Sequence, residues 1–194
     1  MTTIFKKFAT GTAALVLMTT VFTTTSMAAT DDVTTEITGT ESPEIVGTIS
    51  ANSFVGPFEL TGKDQEITGA AINAFAVTDA RGNGAGWQVT VQASQFKDAT
   101  DVENVKTLTT DALLLSAPEV SKEKEALGSS DLETITRLGG NIGVSPVKVL
   151  SAAEGGGMGT FDISAMGLKL NLLPKDVYEG NYTSTVTVSI ITGP

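Results

Sequence analysis

The sequence predicts an all-β fold, an antiparallel β-sandwich of short strands. Short apolar segments recur between Gly, Pro, Asn and Asp residues, a spacing typical of sandwiches and barrels. Two of these segments alternate strictly between apolar and polar residues, as half-buried strands do. The 194-residue chain contains no Cys, so disulfides cannot stabilise it, and a domain of this length buries roughly 70% of its unfolded surface. We therefore expect a fold held by its own core.

The first 28 residues have the features of a secretory signal peptide. Lys6 and Lys7 give a positive start, an apolar body runs over about 8–22, and the small residues Ser26 and Ala28 precede the expected cleavage site. A transmembrane anchor would need roughly 20 apolar residues, and four threonines interrupt this stretch. We therefore predict export, with no membrane contact after processing.

After the signal peptide (1–28), we expect a flexible leader over 29–43 and one β-sandwich domain over 44–194. The leader is rich in Thr and acidic residues, a composition that disfavours a packed core. Cleavage removes two lysines, which leaves 10 basic and 22 acidic residues and a net charge of −12. Because phosphate binding depends on clustered Lys and Arg, nucleic acid is not an expected partner.

The clearest strands lie at 87–92 and 182–190. In "WQVTVQ" the apolar residues Trp87, Val89 and Val91 share one face. In "YTSTVTVSI" the apolar face begins at Tyr182 and continues at every second residue from 186 to 190, opposite Thr and Ser. A third run, "LKLNL", repeats the pattern. Period-two alternation with β-branched residues predicts strands.

Three intervening segments predict other structure. The glycine-rich loop at 79–86 predicts a hairpin between the flanking strands, because its glycines accept positive φ. The stretch "APEVSKEKEALG" at 117–128 is the only one typical of a helix, with Pro near its start and Gly after its end. It lies in a long excursion, about 97–140, which has more charge and less pattern than its flanks.

The residue inventory disfavours catalysis. Without His or Cys the chain cannot form a Ser-His-Asp triad, a Cys-His pair or an ordinary zinc site. Carboxylate-pair catalysis remains open to Asp162, Asp176 and Glu179, but each lies near a predicted turn or strand end, where acids are common. We therefore predict a protein that is not an enzyme and has no cofactor.

Two glycine-rich loops have weak alternative interpretations. The sequence "DARGNG", beginning at Asp79, resembles an oxygen-ligand calcium loop, but Arg81 stands where a ligand is needed, and a turn is favoured. The sequence "EGGGMG" at 154–159 has no Lys and no following helix, so it predicts a flexible turn and not a phosphate loop.

Trp87, the single tryptophan, has two interpretations. It packs between the inward faces of two sheets, or it forms an exposed platform for a sugar or a protein partner. Composition favours the core, and the residues themselves leave both open.

The chain resembles the WxL domain of Gram-positive surface proteins. The resemblance rests on "GAGWQVTVQASQF" and, after a variable middle, on "GMGTFDISAMGLKLNLLPKDVYEGNYTSTVTVSIITGP". Trp87 matches the Trp of the family's first motif, and Tyr182 and Pro194 frame the second. Val89 replaces the Leu of the first motif, and Val188 and Ile190 stand where the second often has Trp and Leu. These apolar exchanges keep a buried strand face intact.

The resemblance implies a secreted, non-catalytic protein that attaches non-covalently to the Gram-positive cell wall through peptidoglycan. Other surface proteins of the same operon are implied as further partners. It also implies wall-binding roles for Trp87, Val89 and Tyr182. No LPxTG-type sorting signal is recognisable, which favours adhesion as the means of attachment.

A second function is a structural subunit of a surface layer or fibre. In that case Val33, Thr35 and Ile37 of the leader would add as a strand to a neighbour's sheet edge. A disordered leader is the simpler interpretation.

Overall fold

A computed structural model describes residues 35–98, 100 and 104–194. Over these residues the chain consists of β-strands and one short 3-10 helix, with no α-helix, so the predicted all-β fold is confirmed. Residues Ile37–Pro194 form one compact unit. The predicted signal peptide (1–28) and residues 29–34 of the predicted leader lie outside the described residues. No described helix is long and apolar enough to cross a membrane.

The strands are mostly short, and the longest have seven or eight residues. In chain order they are β1 (Glu44–Val46), β2 (Ala51–Asn52), β3 (Gln65–Ile72), β4 (Phe75–Asp79), β5 (Trp87–Ala93), β6 (Lys97–Asp98), β7 (Leu113–Leu115), β8 (Val120–Lys122), β9 (Ile135–Arg137), β10 (Gly140–Asn141), β11 (Val147–Ala152), β12 (Gly159–Ile163), β13 (Met166–Leu172), β14 (Tyr182–Thr183) and β15 (Val186–Thr192). The 3-10 helix spans Leu132–Thr134.

The strands form antiparallel sheets in every described pairing. One sheet has the order β1-β4-β12-β8, a second has β10-β7-β13-β3-β2, a third has β15-β5-β11-β9, and β14 pairs with β6. The three larger sheets bury their inward faces in a common core. That arrangement is the predicted sandwich, in which alternate residues of each strand face inward.

The core is built from the apolar faces that the alternation predicted. On β5, Trp87, Val89 and Val91 are fully buried, while the Gln and Thr residues between them are half-buried or exposed. The Trp87 ring lies 6.2 Å from the Phe161 ring of β12, at 51°. Aromatic pairs at this tilted geometry attract each other beyond simple burial. The contact joins two sheets across the core.

The predicted strand at 182–190 is divided in two. Tyr182 and Thr183 form β14, whereas β15 begins at Val186 and pairs with β5. Along β15 the inward residues Val186, Val188 and Ile190 are only half-buried. The reason is that β15 is the outermost strand of its sheet, so no other described strand covers them on one side.

The predicted hairpin at 79–86 is wrong. β4 pairs with β1 and β12, while β5 pairs with β11 and β15 in another sheet. The loop glycines do adopt positive φ, 69° at Gly82 and 66° at Gly84. Positive φ permits many turns, and here the turn carries the chain from one sheet to another.

The predicted helix at 117–128 is also wrong. Val120 is buried and pairs with Ile163 of β12, so residues 120–122 of this segment form strand β8. Turns follow, in which the main chain and side chain of Glu123 accept hydrogen bonds from Ala126 and Glu125. Tertiary packing thus overrides a weak local helix propensity. The surrounding segment, predicted as a long excursion over 97–140, supplies β6 to β10.

The sheet edges differ in length and charge. Among the described strands of the three larger sheets, β1, β8 and β9 are three-residue edges that each carry a charged residue, and β2 and β10 have two residues. Short, charged edges resist pairing with other chains. β15 is different, because its seven residues, VTVSIIT, include no charge and no Pro.

Replacing Phe161 with Ala should destabilise the domain by about 3–5 kcal/mol, since it removes a fully buried ring and leaves a cavity beside Trp87. Urea unfolding followed by Trp87 fluorescence measures the loss. Leu127→Ala is the control, because Leu127 is 72% exposed and its loss should change stability by no more than about 0.5 kcal/mol. Equal urea midpoints for the two variants would contradict the proposed core.

Candidate functional site

Trp87 belongs to the core and not to the surface. Its side chain is fully buried, and its indole N–H donates a 2.8 Å hydrogen bond to the carbonyl of Gly157. Val89, on the same face of β5, is fully buried too. Of the two interpretations of Trp87, the structure therefore favours the core. Neither side chain reaches a surface that a wall polymer could contact.

The glycine-rich loop at 154–159 is packed against Trp87. Gly157 has φ of +72°, and a Cβ there would lie 2.6 Å from the indole nitrogen, so only glycine fits. The Gly155 N–H donates to the carbonyl of Gly84 in the loop before β5. The predicted turn is present at residues 154–155, and the loop also covers the indole closely.

A buried ion pair stabilises the loop at 79–86, which leads into β5. The Arg81 guanidinium donates two 2.8 Å hydrogen bonds to the Asp79 carboxylate, one to each oxygen, and a 2.6 Å bond to the Gly86 carbonyl. Both side chains are almost completely buried. Bidentate pairing of this kind is strong and directional. It fixes the main chain immediately before Trp87.

The ion pair also sets the protonation of both groups. Burial by itself raises the pKa of Asp79, but the hydrogen bonds and charge of Arg81 outweigh it, so the pKa lies below the ordinary value. The hydrogen bond to Asp79 raises the pKa of Arg81. Both groups are therefore charged at neutral pH.

The calcium-loop interpretation of Asp79 is not supported. Each carboxylate oxygen is bonded to Arg81, so a cation would have to displace a buried guanidinium. Within the described residues, no group of three or more His, Cys, Asp or Glu residues could hold a metal ion.

The two sequence motifs form one antiparallel ladder. Thr192 of β15 is paired with Trp87, Ile190 with Val89, and Val188 with Val91. Beyond the strand, the Gly193 N–H donates to the Gly86 carbonyl. The segment that ends the sequence is thus joined directly to the tryptophan motif.

Tyr182 lies in a different place, in a wide groove of about 1380 Å³. The floor of the groove includes Leu168 and Leu170 of β13. Its walls come from the segments 49–60 and 177–184, which are irregular apart from the two-residue strands β2 and β14. Tyr182 is half-buried, and its hydroxyl donates to the Tyr178 carbonyl. Of the three predicted binding residues, only Tyr182 lines an open surface.

Exposed rings line this groove on both walls. Phe58 is 40% exposed and Tyr178 is 60% exposed. Lys106 places its ammonium 5.9 Å from the centre of the Tyr178 ring and donates to the Glu179 carbonyl. Pockets that combine apolar rings with a few polar groups are typical binding sites.

Asp98 provides a fixed negative charge in the groove lining. Its Oδ1 accepts hydrogen bonds from the hydroxyl and N–H of Thr100, at 2.6 and 2.9 Å, and from the Asn181 N–H at 3.4 Å. These bonds, led by the Thr100 hydroxyl, hold the pKa of Asp98 below its ordinary value, and Lys106 acts in the same direction. Asp98 therefore stays ionised while it orders the loops around it.

The sequence did not indicate the groove. The apolar run "SFVGPFEL" at 53–60 resembles a strand in sequence, but residues 53–64 form no strand. Gly56 and Pro57 in the middle of this apolar run were the available signal, because Pro within a run argues against a strand. Two of its exposed apolar side chains, Phe58 and Leu60, line the groove.

These observations define an all-β domain with a buried motif ladder and an open, aromatic-lined groove, which is the architecture of a binding module. The chain belongs to the WxL domain family: the family model, described as WxL domain surface cell wall-binding, matches residues 46–194. The resemblance of the motifs is thereby confirmed. The protein is a cell-surface protein that binds the cell wall and is located outside the cell. No curated protein and no solved structure matches it.

Replacing Arg81 with Met should destabilise the domain by about 3–5 kcal/mol, because the Asp79 carboxylate is left buried without its partner. Replacing both residues (Asp79→Leu with Arg81→Met) should recover much of the loss, since neither charge then remains buried. Urea unfolding at about pH 7 compares the two. A double variant no more stable than Arg81→Met would contradict the assigned role of the pair.

The ion pair also predicts an acid sensitivity. Because the folded pKa of Asp79 is below its unfolded value, the pair stabilises the protein above the unfolded value of 3.8, and that contribution is lost as pH falls through the folded pKa. Urea unfolding from about pH 7 to pH 3 should therefore show a larger decrease for the wild type than for the double variant. Parallel curves would contradict the prediction.

Proposed function

We propose that the domain attaches its protein to the wall by binding peptidoglycan, non-covalently and without catalysis, in the groove beneath Phe58 and Tyr178. The exposure of these two rings at one groove carries the proposal. Membership of a wall-binding family supports it at the level of the wall, and the groove supplies the contact surface. Tyr182 is the predicted binding residue that lines this surface.

The groove chemistry suits peptidoglycan, a polymer of amino sugars cross-linked by short peptides. Tyr and Phe rings give large, rigid apolar surfaces on which the C–H faces of sugar rings can pack. Main-chain groups of the irregular walls can bond to hydroxyl and amide groups. Lys106, above Tyr178, can pair with a peptide carboxylate.

The ionised state of Asp98 supports binding without catalysis. A glycosidase of the carboxylate-pair type needs one carboxylic acid whose pKa is raised, so that it is protonated at neutral pH and can donate its proton to the leaving-group oxygen. The pKa of Asp98 is shifted in the opposite direction. Of the carboxylates considered from the sequence, Asp162 is exposed on β12, whereas Asp176 and Glu179 lie in the loop between β13 and β14.

Trp87 and Val89 are fully buried and would act indirectly, by fixing β5 within the core. A wall-binding role for these two residues stays a prediction. Binding of other surface proteins from the same operon also stays a prediction.

The second function, a subunit of a layer or fibre built by strand addition, is favoured by the uncharged edge of β15. The leader is a poorer donor than its sequence suggested. Just after Ile37 the leader is held by its own domain, because the Thr40 N–H donates to the Ala80 carbonyl and a Cβ on Gly39 would lie 2.2 Å from the Arg81 carbonyl oxygen. Wall attachment is therefore the function we favour.

The purified exported protein should co-sediment with peptidoglycan sacculi stripped of protein and of attached polymers. Replacing Phe58 and Tyr178 together with Ser should weaken binding by about tenfold or more, because an aromatic anchor contributes at least about 1.4 kcal/mol. Val55→Ser is the matched control. Val55 lies on the same wall segment and is 86% exposed, yet it does not line the groove.

Three outcomes would contradict parts of the proposal. Equal binding by the ring variant and the control would exclude the groove as the contact surface. Binding to whole walls but not to stripped sacculi would exclude peptidoglycan as the ligand. Release of new reducing ends from the sacculi would exclude a non-catalytic role.

A further inference from the structure

We propose that β15 is a self-pairing edge, through which the protein binds a second copy of itself as one continuous antiparallel sheet. This inference goes beyond wall binding and does not depend on it. It starts from the contrast among the edges: the other edge strands described in the three larger sheets have two or three residues, whereas β15 has seven and carries no charge. Natural proteins usually protect such edges with charges, Pro or bulges.

The hydrogen bonds at the two ends of the ladder between β15 and β5 show which backbone groups of β15 point away from β5. The Ser94 N–H donates to the Thr185 carbonyl, and the Gly193 N–H donates to the Gly86 carbonyl. Both are hydrogen-bonded pairs of the ladder with β5, in which such pairs alternate along the strand. The odd-numbered residues of β15 therefore bond to β5. The even-numbered residues point their N–H and C=O groups toward the open edge; they are Val186, Val188, Ile190 and Thr192.

A two-fold axis through Ser189 uses all of these groups. Antiparallel pairing about Ser189 places Val186 opposite Thr192 of the second copy, and Val188 opposite Ile190, each as a hydrogen-bonded pair. Moving the register by two residues leaves one outward residue of each strand without a partner. The Ser189-centred register is therefore the one that satisfies the whole edge.

The side chains fit the same register. Val186, Val188 and Ile190 face the core but are half-buried at the open side, and pairing would place the apolar side chains of the second copy beside them. On the other face, Ser189 meets Ser189 and Thr187 meets Ile191. The seven residues bring no charge to the interface, although each molecule has a net charge of −10, so like charges do not meet at the axis.

A second copy is a better occupant than the leader segment. Pairing of identical edges satisfies both edges at once and closes the assembly as a dimer, whereas addition of a leader to an edge is head-to-tail and continues into a fibre. The leader is also bonded to its own domain, through the Thr40 N–H and the Ala80 carbonyl.

A single cysteine tests the register directly, because the full chain has no Cys of its own. In Ser189→Cys the two thiols would face each other across the axis at a non-hydrogen-bonded pair, where Cβ atoms approach to about 4.5–5.5 Å, close to disulfide distance. In the control Thr187→Cys, the two thiols would be four residues out of register, about 13 Å apart along the strands. Under mild oxidation, Ser189→Cys should form disulfide dimers at least about tenfold faster.

Sedimentation velocity gives an independent measurement without oxidation. The wild type should associate to a dimer as concentration rises. Ser189→Lys should prevent this by placing two ammonium groups opposite each other, while Thr187→Lys, which faces Ile191, adds the same charge and should not. Urea unfolding should show that both exposed substitutions leave the fold intact.

Four outcomes would overturn the proposal: equal cross-linking of the two cysteine variants, a wild type that stays monomeric at every concentration, equal association of the two lysine variants, or polymers that disappear when residues 29–42 are deleted. The last result would identify the leader as the occupant of the edge. A failure of wall binding would leave the proposal unaffected.

Discussion

The fit of one indole beneath a glycine-rich loop is the constraint on which this fold depends. Trp87 begins β5, packs on Phe161 across the core, and gives its only polar hydrogen to the Gly157 carbonyl. A buried N–H without an acceptor would cost about 1–3 kcal/mol, so the loop at 154–159 must close tightly over the ring. Gly157 permits this closure, because no side chain fits between it and the indole. The tryptophan motif therefore specifies the position of a loop seventy residues away.

The Asp79–Arg81 pair extends that constraint to the chain before β5. Arg81 holds the Gly86 carbonyl, which also accepts from Gly193 after β15. One peptide group thus joins the buried ion pair, the tryptophan motif and the segment that follows the second motif. This explains why apolar replacements at Val89, Val188 and Ile190 are compatible with the fold. Those positions need only an apolar side chain on the inward face, whereas the loops need particular donors and acceptors.

The sequence predicted those parts of the fold in which local pattern and tertiary environment agree. Strict alternation located β5, β13 and β15, because one face of each strand packs on the core. It could not show which sheet each strand joins, and so the loop at 79–86 was mistaken for a hairpin. Charged helix-forming residues after Pro118 suggested a helix, but the burial of Val120 determined the outcome. Of the groove residues proposed to bind the wall, only Tyr182 was predicted as a binding residue, because the two walls are largely irregular segments more than a hundred residues apart in sequence.

The groove and the edge of β15 perform different tasks, and their chemistry separates them. The groove combines exposed rings with fixed charges, which suits a polar polymer with apolar faces. The edge offers only main-chain groups and uncharged side chains, which suits another strand. A seven-residue edge is a small contact compared with the interface of a stable complex, about 1,600 Å² in total, so self-pairing would be weak in dilute solution. Proteins held on a wall are concentrated there, and a pair carries two grooves, so each contact raises the effective concentration for the other. Weak pairing and weak wall binding would therefore strengthen each other at the cell surface, without a large interface at either site.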